Sequence, residues 1–152
     1  MKKIIDDLIF RPLEENEINE ILELEKSQSV HILSKNIISQ ELKNSLNSKY
    51  FVATYKDEII AYISISIILD VCDISSIVVK KEYEKNGVGN YLLTKVFEKC
   101  KSMEVKKILL EVRKSNEKAI KLYTKNNFTK IAERKNYYTL PKEDAYIFEY
   151  ML

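Results

Sequence analysis

The sequence predicts one α/β domain with a mixed sheet. Its hydrophobic pattern has a helical period before residue 46 and becomes alternating and β-branched over 50–69. Over 74–125 the chain reads strand, helix, strand, helix, a pattern typical of two strands that lie parallel and adjacent in a sheet. The length of 152 residues is that of one domain, and no linker or internal repeat divides it.

The first half of the chain predicts a strand, two helices and a β-hairpin. Apolar residues recur at helical spacing in both helical segments, and Ser34 is the expected N-cap of the second. Asp57-Glu58 is the predicted turn between two runs rich in β-branched and aromatic residues. The predicted elements are a strand at 8–13, helices at 16–26 and after Ser34, and hairpin strands at 50–56 and 59–69.

The second half predicts the alternating strands and helices, followed by two closing strands. Its first helix carries Val88, Leu92 and Val96 along one stripe, as expected for a helix packed on a sheet. Pro141 and its neighbours predict the turn between the closing strands. The predicted elements are strands at 74–80 and 108–113, helices at 87–102 and 116–125, closing strands at 128–134 and 145–152, and a turn at 140–143.

Composition excludes several classes of protein. Apolar residues make up 45% and charged residues 32% of the chain, values that are ordinary for a globular domain and far from those of disorder. The longest apolar stretch, 59–69, carries Ser64 and Ser66 and is too short to span a bilayer. We therefore expect a cytoplasmic protein without a secretory or membrane segment.

Cysteine and histidine usage offers little for metal or triad chemistry. Cys72 and Cys100 lack a CxxC spacing and a nearby histidine, so we predict buried reduced thiols and no metal site. His31 is the only histidine, and no cysteine or carboxylate pattern accompanies it. We assign His31 to a structural or substrate-side role.

The net charge of +2 conceals an asymmetry along the chain. Residues 80–135 hold 16 Lys and Arg against 7 Asp and Glu, whereas the remainder holds 9 against 16. This pattern suits an anionic ligand in the middle of the chain and a cationic partner at the flanks. Solvated helix faces nevertheless explain most of these lysines, because lysine is commonly exposed whatever the function.

The two glycines of the chain lie within three residues of each other, at Gly87 and Gly89. Average usage would give about ten in a chain of this length. Their place between a strand and a helix calls for positive φ or close backbone approach, and the following helix N-terminus favours a phosphate. A tight turn and a phosphate loop both remain open on spacing alone. A Rossmann fingerprint fails because Leu92 replaces its third glycine, and no Walker lysine follows.

The segment from Tyr83 to Gly89 resembles the pyrophosphate loop of the GNAT acetyltransferases, in which Gln or Arg precedes two residues, Gly, one residue, and Gly or Ala. Glu84 departs from the first position and adds a negative charge, which should lower cofactor affinity without abolishing the site. The resemblance implies acetyl-CoA as cosubstrate. The backbone of the loop would hold its pyrophosphate through Lys85, Asn86, Gly87, Val88, Gly89 and Asn90.

The chain from about residue 70 onward is similar to the RimI-type branch of this family, the ribosomal-protein alanine N-acetyltransferases. The resemblance implies a mostly antiparallel sheet of six to seven strands with about four flanking helices and two central strands that are parallel and splayed. It is carried by Leu110-Glu111-Val112-Arg113-Lys114-Ser115-Asn116, Ala119-Ile120-Lys121-Leu122-Tyr123, Asn127-Phe128, Asn136-Tyr137-Tyr138 and Glu143-Asp144-Ala145.

Glu111 is out of place on a strand that should be central and apolar on both faces. One interpretation is a local ion pair with Arg113, because a buried carboxylate needs a partner. The other is a general base, which the resemblance also implies. We favour the base, because a desolvated carboxylate takes up a proton more readily.

Asn116 and Tyr123 are seven residues apart, which is two turns on one face of a helix that begins just after the strand of Glu111. Both could line one cofactor channel. Asn116 is equally well interpreted as an N-cap, and Tyr123 on its own residues as a core aromatic. The resemblance implies instead that Tyr123 protonates the departing thiolate.

The resemblance also implies how the remaining site residues act. Backbone N–H groups of Ile77, Val78 and Val79 would hold the thioester oxygen where the strands diverge. The acceptor would be the N-terminal alanine of a small-subunit ribosomal protein, with no direct nucleic acid or membrane partner. Its contacts would come from Tyr137, Tyr138 and Glu143, for which surface packing is an equal alternative. Another amine acceptor, or a catalytically silent acetyl-CoA-binding domain, remains an alternative function.

Overall fold

The computed structural model describes residues 3–28 and 34–152, and His31 lies outside them. Seven strands form one sheet in the order β1-β2-β3-β4-β5-β7-β6. All neighbours pair antiparallel except β4 and β5, which are parallel, so the predicted mixed sheet is confirmed. The strands are β1 (Ile9–Pro12), β2 (Ser48–Tyr55), β3 (Glu58–Ile68), β4 (Val71–Val79), β5 (Lys107–Arg113), β6 (Thr129–Thr139) and β7 (Lys142–Met151).

Four α-helices flank the sheet within the described ranges. The N-cap predicted at Ser34 is present, since its side chain accepts a hydrogen bond from the backbone N–H of Ile37 at 3.5 Å. The first helix begins two residues later than predicted because Glu15–Glu17 forms a 3-10 turn, where Glu17 binds Arg11 at 2.6 and 2.8 Å. The helices are α1 (Ile18–Gln28), α2 (Lys35–Asn44), α3 (Val88–Ser102) and α4 (Glu117–Lys125).

The helices bury two apolar clusters, one on each face of the sheet. Helices α3 and α4 cover one face, where side chains such as Leu92, Leu110 and Phe148 pack together. Helices α1 and α2 cover part of the other face, around Ile38 and Tyr62. Among the described residues, no helix covers the second face over β5 and β7, since the cluster beneath α1 and α2 draws its strand residues from β2, β3 and β4. Side chains on that part of the sheet are therefore accessible.

The two parallel strands separate along their length. They pair only from Val71 with Lys107 to Ile74 with Leu110, although β4 continues five residues further. On the other side of β4, the register with β3 shifts because Ser75 is an extra residue between the rungs. A bulge of this kind bends its strand, which accounts for the divergence of β4 from β5. The sequence expectation of splayed central strands is confirmed.

The closing hairpin is longer than the sequence predicted. Strand β6 extends to Thr139 and β7 begins at Lys142, so the turn consists of Leu140 and Pro141 alone. The prediction placed residues 135–144 outside the strands because polar residues and Pro141 interrupt the hydrophobic pattern there. On an edge strand, however, almost every side chain of β6 faces solvent, so its pattern carries no apolar alternation.

Both cysteines lie in the core as free thiols, Cys72 on β4 and Cys100 on α3. Within 3–28 and 34–152, no group of three or more His, Cys, Asp or Glu side chains is arranged to hold a metal ion. No helix in these ranges is long and apolar enough to cross a membrane.

Candidate active site

The glycine loop, residues 80–87, connects β4 to α3 and contains two residues in the left-handed region. Gly87 is the N-cap of α3 with φ 80° and ψ 10°, and Lys85 has φ 63°. A side chain at Gly87 would meet only Ile5, at 3.7 Å, so space does not require glycine there. The backbone conformation is what requires glycine, because L residues with a Cβ are strained at this φ. The prediction that this position needs positive φ is confirmed.

Gly89 has a different reason to be glycine. A Cβ at this residue would lie 3.1 Å from Cδ2 of Leu122, which belongs to α4. The absence of a side chain therefore lets α4 approach the first turn of α3 closely. The same contact between the two helices includes a hydrogen bond at 2.7 Å from the Asn126 amide to Oδ1 of Asn90. Close helix packing, which the sequence did not reveal, accounts for the second glycine.

The first turn of α3 presents backbone N–H groups at the end of the glycine loop. The carbonyl of Gly87 accepts the first helical bond, from Tyr91 N–H at 2.9 Å. The N–H groups of the residues between them have no partner within an α-helix and point out of its N-terminus. Val88 contributes only backbone here, because its side chain is buried in the core. This end of α3 has the arrangement that phosphate groups bind in proteins.

Glu84 does not present a free negative charge to the loop. Its carboxylate binds Nζ of Lys118 at 2.9 Å, and its side chain is only 24% exposed. Asn86 fixes the same turn by donating from its amide to the carbonyls of Tyr83, at 3.2 Å, and Glu84, at 2.9 Å. From the sequence alone, Glu84 was predicted to carry an unbalanced charge, because its partner Lys118 lies 34 residues further along the chain.

Two backbone N–H groups of β4 face the gap between the splayed strands. Lys80 N–H donates to the carbonyl of Ile60 in β3 at 2.7 Å, and Val78 pairs with Tyr62. Since the bonds of an antiparallel ladder alternate along a strand, Val78 also directs its N–H toward β3. Ile77 and Val79 then direct theirs toward the gap. Of the three residues predicted to hold an acyl oxygen, these two have the required orientation.

Glu111 lies on β5 beside the gap, on the open face of the sheet. The expected desolvation is wrong, because α3 and α4 cover the opposite face of β5 and leave Glu111 exposed. The ion pair with Arg113 is also absent, since that guanidinium binds Glu143 at 3.3 Å instead. Hydrogen bonding to Glu111 raises the pKa of the Tyr137 hydroxyl above its ordinary value. Glu111 thus lies beside the last hairpin and remains accessible.

Asp73 joins this group of side chains, although it was not among the predicted site residues. It lies on β4 opposite Leu109, so it shares the open face with Glu111 two residues further along β5. Partial burial, followed by the charge of Glu111, raises the pKa of Asp73. The signal was the one used for Glu111, a carboxylate in an otherwise apolar strand. It went unused because the strand was predicted to begin at residue 74.

Tyr123 is buried, with 5% of its surface exposed. Its ring packs against those of Phe128 and Phe148, with centroid distances of 5.7 and 6.2 Å. Burial raises the pKa of the Tyr123 hydroxyl, and the nearby Tyr138 raises it further. The hydroxyl therefore keeps its proton at neutral and moderately alkaline pH. Tyr123 is a core aromatic whose protonation state also suits a proton donor.

Asn116 is the N-cap of α4, as one of its two interpretations predicted. Its Oδ1 accepts a hydrogen bond from Ala119 N–H at 3.2 Å. The residue itself is exposed, so the cap leaves its amide nitrogen accessible.

The acceptor contacts predicted on the closing hairpin fall into two groups. Tyr137 and Tyr138 stand beside Glu111, with their rings edge to face at 5.1 Å. Glu143 is turned into the protein, where its carboxylate accepts from Ser115 N–H at 2.7 Å and binds Arg113. These bonds, that of Ser115 first, lower the pKa of Glu143. Glu143 thus joins the hairpin to the loop after β5 through its bond with Ser115.

The gap beside a left-handed glycine loop is the arrangement that the sequence resemblance implied for an acetyltransferase. Residues 16–128 match the model of the Acetyltransferase (GNAT) family. The chain is 31% identical over 137 residues to the [ribosomal protein bS18]-alanine N-acetyltransferase of Haemophilus ducreyi, covering 88% of this chain and 92% of that protein. The protein therefore belongs to the GNAT acetyltransferase family.

Solved structures agree with this assignment. The crystal structure of the ribosomal-protein-S18-alanine N-acetyltransferase from Escherichia coli matches with a TM-score of 0.85 and 25% identity, covering 95% of this chain and 93% of that one. A GNAT family acetyltransferase from Elizabethkingia anophelis with acetyl-CoA bound shares the fold at a TM-score of 0.79 and 23% identity, covering 97% and 99%.

Proposed function

We propose that this protein transfers acetyl from acetyl-CoA to a protein N-terminal amine, and that the acceptor is the N-terminal alanine of a ribosomal protein of the S18 type. The observation that carries this proposal is the gap between β4 and β5, with Glu111 at its open face and Tyr123 in the adjoining core. The relatives named for that acceptor support the choice of amine. Such an acceptor places the reaction in the cytoplasm.

The residues present fit acetyl-CoA. The left-handed Gly87 and the N–H groups of the first turn of α3 form a backbone cradle whose conformation strains any residue with a Cβ. The loop and helix start that would hold the pyrophosphate also include Lys85, Asn86, Val88, Gly89 and Asn90. The exposed Asn116 would contact another part of the cofactor. Bound there, acetyl-CoA supplies the thioester that is the acetyl donor.

The acceptor amine must lose a proton before it can attack. Glu111 would take this proton directly or through one water, since its exposed carboxylate stands on the open face beside the gap. An α-amino group, with a pKa near about 8, is deprotonated more easily at neutral pH than lysine, at about 10.4. This difference favours a protein N-terminus over a lysine side chain as the acceptor.

The reaction leaves a negative charge on the carbonyl oxygen and then on the departing sulfur. The N–H groups of Ile77 and Val79, free on the side of the gap, would stabilise the oxygen. Tyr123 would give its proton to the sulfur, since its hydroxyl stays protonated over the working pH range. Glu111 and Tyr123 thus serve as the base and the acid of one transfer.

The open face of the sheet suits a cationic acceptor. Glu111 and Asp73 are carboxylates of neighbouring strands on that face, and Tyr137 and Tyr138 flank them from the hairpin. A protonated N-terminus and basic side chains after it would be attracted to this surface. Tyr137 and Tyr138 would supply the apolar contacts around the first residue of the acceptor.

Substrate profiling tests the proposed acceptor. We expect acetyl-CoA turnover with a basic peptide that begins with alanine, and far less with spermine or with an N-terminally blocked peptide whose only amine is lysine. The matched control is the same alanine peptide with a blocked N-terminus. Preference for spermine would contradict the proposed acceptor, and turnover on none of the amines would indicate a catalytically silent acetyl-CoA-binding domain.

Replacement of Gly87 by valine should weaken coenzyme A binding. A β-branched residue is strained at φ 80°, so the loop must move to relieve it. If the loop must move to relieve the backbone strain of a non-glycine residue at positive φ, the Kd for coenzyme A should rise about tenfold. Isothermal titration with coenzyme A measures the change. Glu104→Val is the matched control, because Glu104 has φ 57° near the other end of α3 and lies away from the loop. An unchanged Kd in Gly87→Val would remove the phosphate-loop assignment.

A further inference from the structure

One side chain of β5 holds the tip of the β6–β7 hairpin, residues 140–141, through hydrogen bonds. The Arg113 guanidinium donates to the carbonyl of Pro141 at 2.9 Å through Nη1 and to that of Leu140 at 3.0 Å through Nη2. It also binds the Glu143 carboxylate at 3.3 Å and lies over the ring of Tyr138, 4.1 Å from its centroid. Both residues of the turn and both strands beside it are therefore held by Arg113.

The hairpin needs this anchor because its own ladder is interrupted. The register between β6 and β7 shifts between Arg134 and Tyr138, and only two pairs, Tyr138 with Glu143 and Thr139 with Lys142, lie beyond the shift. In the part of the chain that the structure describes, strand β6 is also the edge of the sheet. A segment with so few ladder bonds opens easily unless side chains hold it.

The interrupted segment carries the two tyrosines that stand beside Glu111. The Glu111 carboxylate raises the pKa of the Tyr137 hydroxyl, and its charge, after burial, raises that of Tyr138. Tyr138 is stacked under Arg113 itself, so its position is linked to the anchor directly. Movement of the hairpin tip would displace both rings from the acceptor side of the site.

We propose that Arg113 is a positioning residue of the acceptor site: it sets Tyr137 and Tyr138 against Glu111 without touching either substrate. This inference rests on the proposed function of Glu111 and the hairpin. The planar guanidinium makes several directed hydrogen bonds and stacks on a ring at once, whereas a lysine ammonium is a point charge on a flexible stem. Lysine at this position should therefore fail to replace arginine.

The expected kinetic effect is confined to the acceptor. In Arg113→Met, KM for the alanine-initiated peptide should rise about tenfold, as expected for the loss of hydrogen bonds from a charged donor. KM for acetyl-CoA should stay within about twofold, because the glycine loop lies on the other side of the gap. Arg113→Lys should resemble Arg113→Met. Lys114→Met is the matched control, since it removes an adjacent exposed positive charge and keeps the backbone N–H that donates to the carbonyl of Asp144 at 3.1 Å.

Limited trypsin digestion gives a second readout that does not need turnover. Lys135 and Lys142 flank the hairpin tip and are exposed, so their cleavage reports how often the tip opens. We expect cleavage at these two sites to be about tenfold faster in Arg113→Met and Arg113→Lys than in the wild type. Cleavage in Lys114→Met should match the wild type.

Unchanged cleavage in both Arg113 variants would overturn the anchoring role. An equal rise in KM for peptide and acetyl-CoA would overturn the positioning role, because it would indicate a general structural effect. Full rescue by Arg113→Lys in both assays would likewise contradict the requirement for a guanidinium. If the wild type turned over no peptide, the proposed function would fail by itself, and the cleavage rates would still decide whether Arg113 holds the hairpin.

Discussion

Glu111→Gln is expected to lower kcat for the alanine peptide by about a hundredfold, the usual contribution of a general base. The amide has the shape of the carboxylate but does not accept the amine proton. Coenzyme A affinity should be unchanged, since Glu111 lies on the open face of the sheet and away from the glycine loop. Steady-state kinetics together with titration of coenzyme A separate the two effects.

The pH profile of Glu111→Gln gives an additional check. Without a base, turnover depends on amine that has already lost its proton in solution, so the deficit should shrink above about pH 8, the pKa of an α-amino group. Glu149→Gln is the matched control, because Glu149 is a carboxylate on β7 that pairs with Leu109 on the same face of the sheet. Equal kcat in Glu111→Gln and the wild type would contradict the assignment of Glu111 as the general base.

Tyr123→Phe is expected to lower kcat by a similar factor, about a hundredfold, through loss of the proton donor. The variant keeps the ring, so the packing against Phe128 and Phe148 is retained and the fold should be little affected. Coenzyme A affinity should again be nearly unchanged. Comparison of thermal unfolding in the two proteins verifies that the loss is chemical.

The raised pKa of Tyr123 predicts the alkaline side of the wild-type profile. Because burial keeps the hydroxyl protonated above its ordinary range, loss of this proton should not reduce kcat below about pH 10. Tyr150→Phe is the control, since Tyr150 stacks on Phe97 in the same aromatic cluster at 4.5 Å and stands on the far end of β7. Turnover unaffected by both Glu111→Gln and Tyr123→Phe would leave the silent domain as the better account.

Local residue patterns were sufficient for most of the fold. The β-branched runs, the helical stripes and the N-caps at Ser34 and Asn116 depend on a few neighbouring residues, so they could be predicted without knowledge of the rest of the chain. The positive φ at Gly87 belongs to the same kind, because a glycine between a strand and a helix, in a chain that otherwise nearly lacks glycine, has a local conformational reason. Strand β6 was predicted too short. It lies at the edge of the sheet and buries neither face, so its sequence lacks the apolar alternation that marks a strand.

The residue pattern was enough to predict the α/β class, the parallel central strands and the glycine loop, and it pointed to Glu111 and Tyr123 as the candidate pair. Which charges meet and which faces are covered emerged only from the folded chain. It paired Glu84 with Lys118, placed Leu122 against Gly89 and turned Arg113 to the hairpin tip. It also left Glu111 exposed. These features depend on residues distant in the chain and on where the helices stop covering the sheet, and no local pattern contains that information.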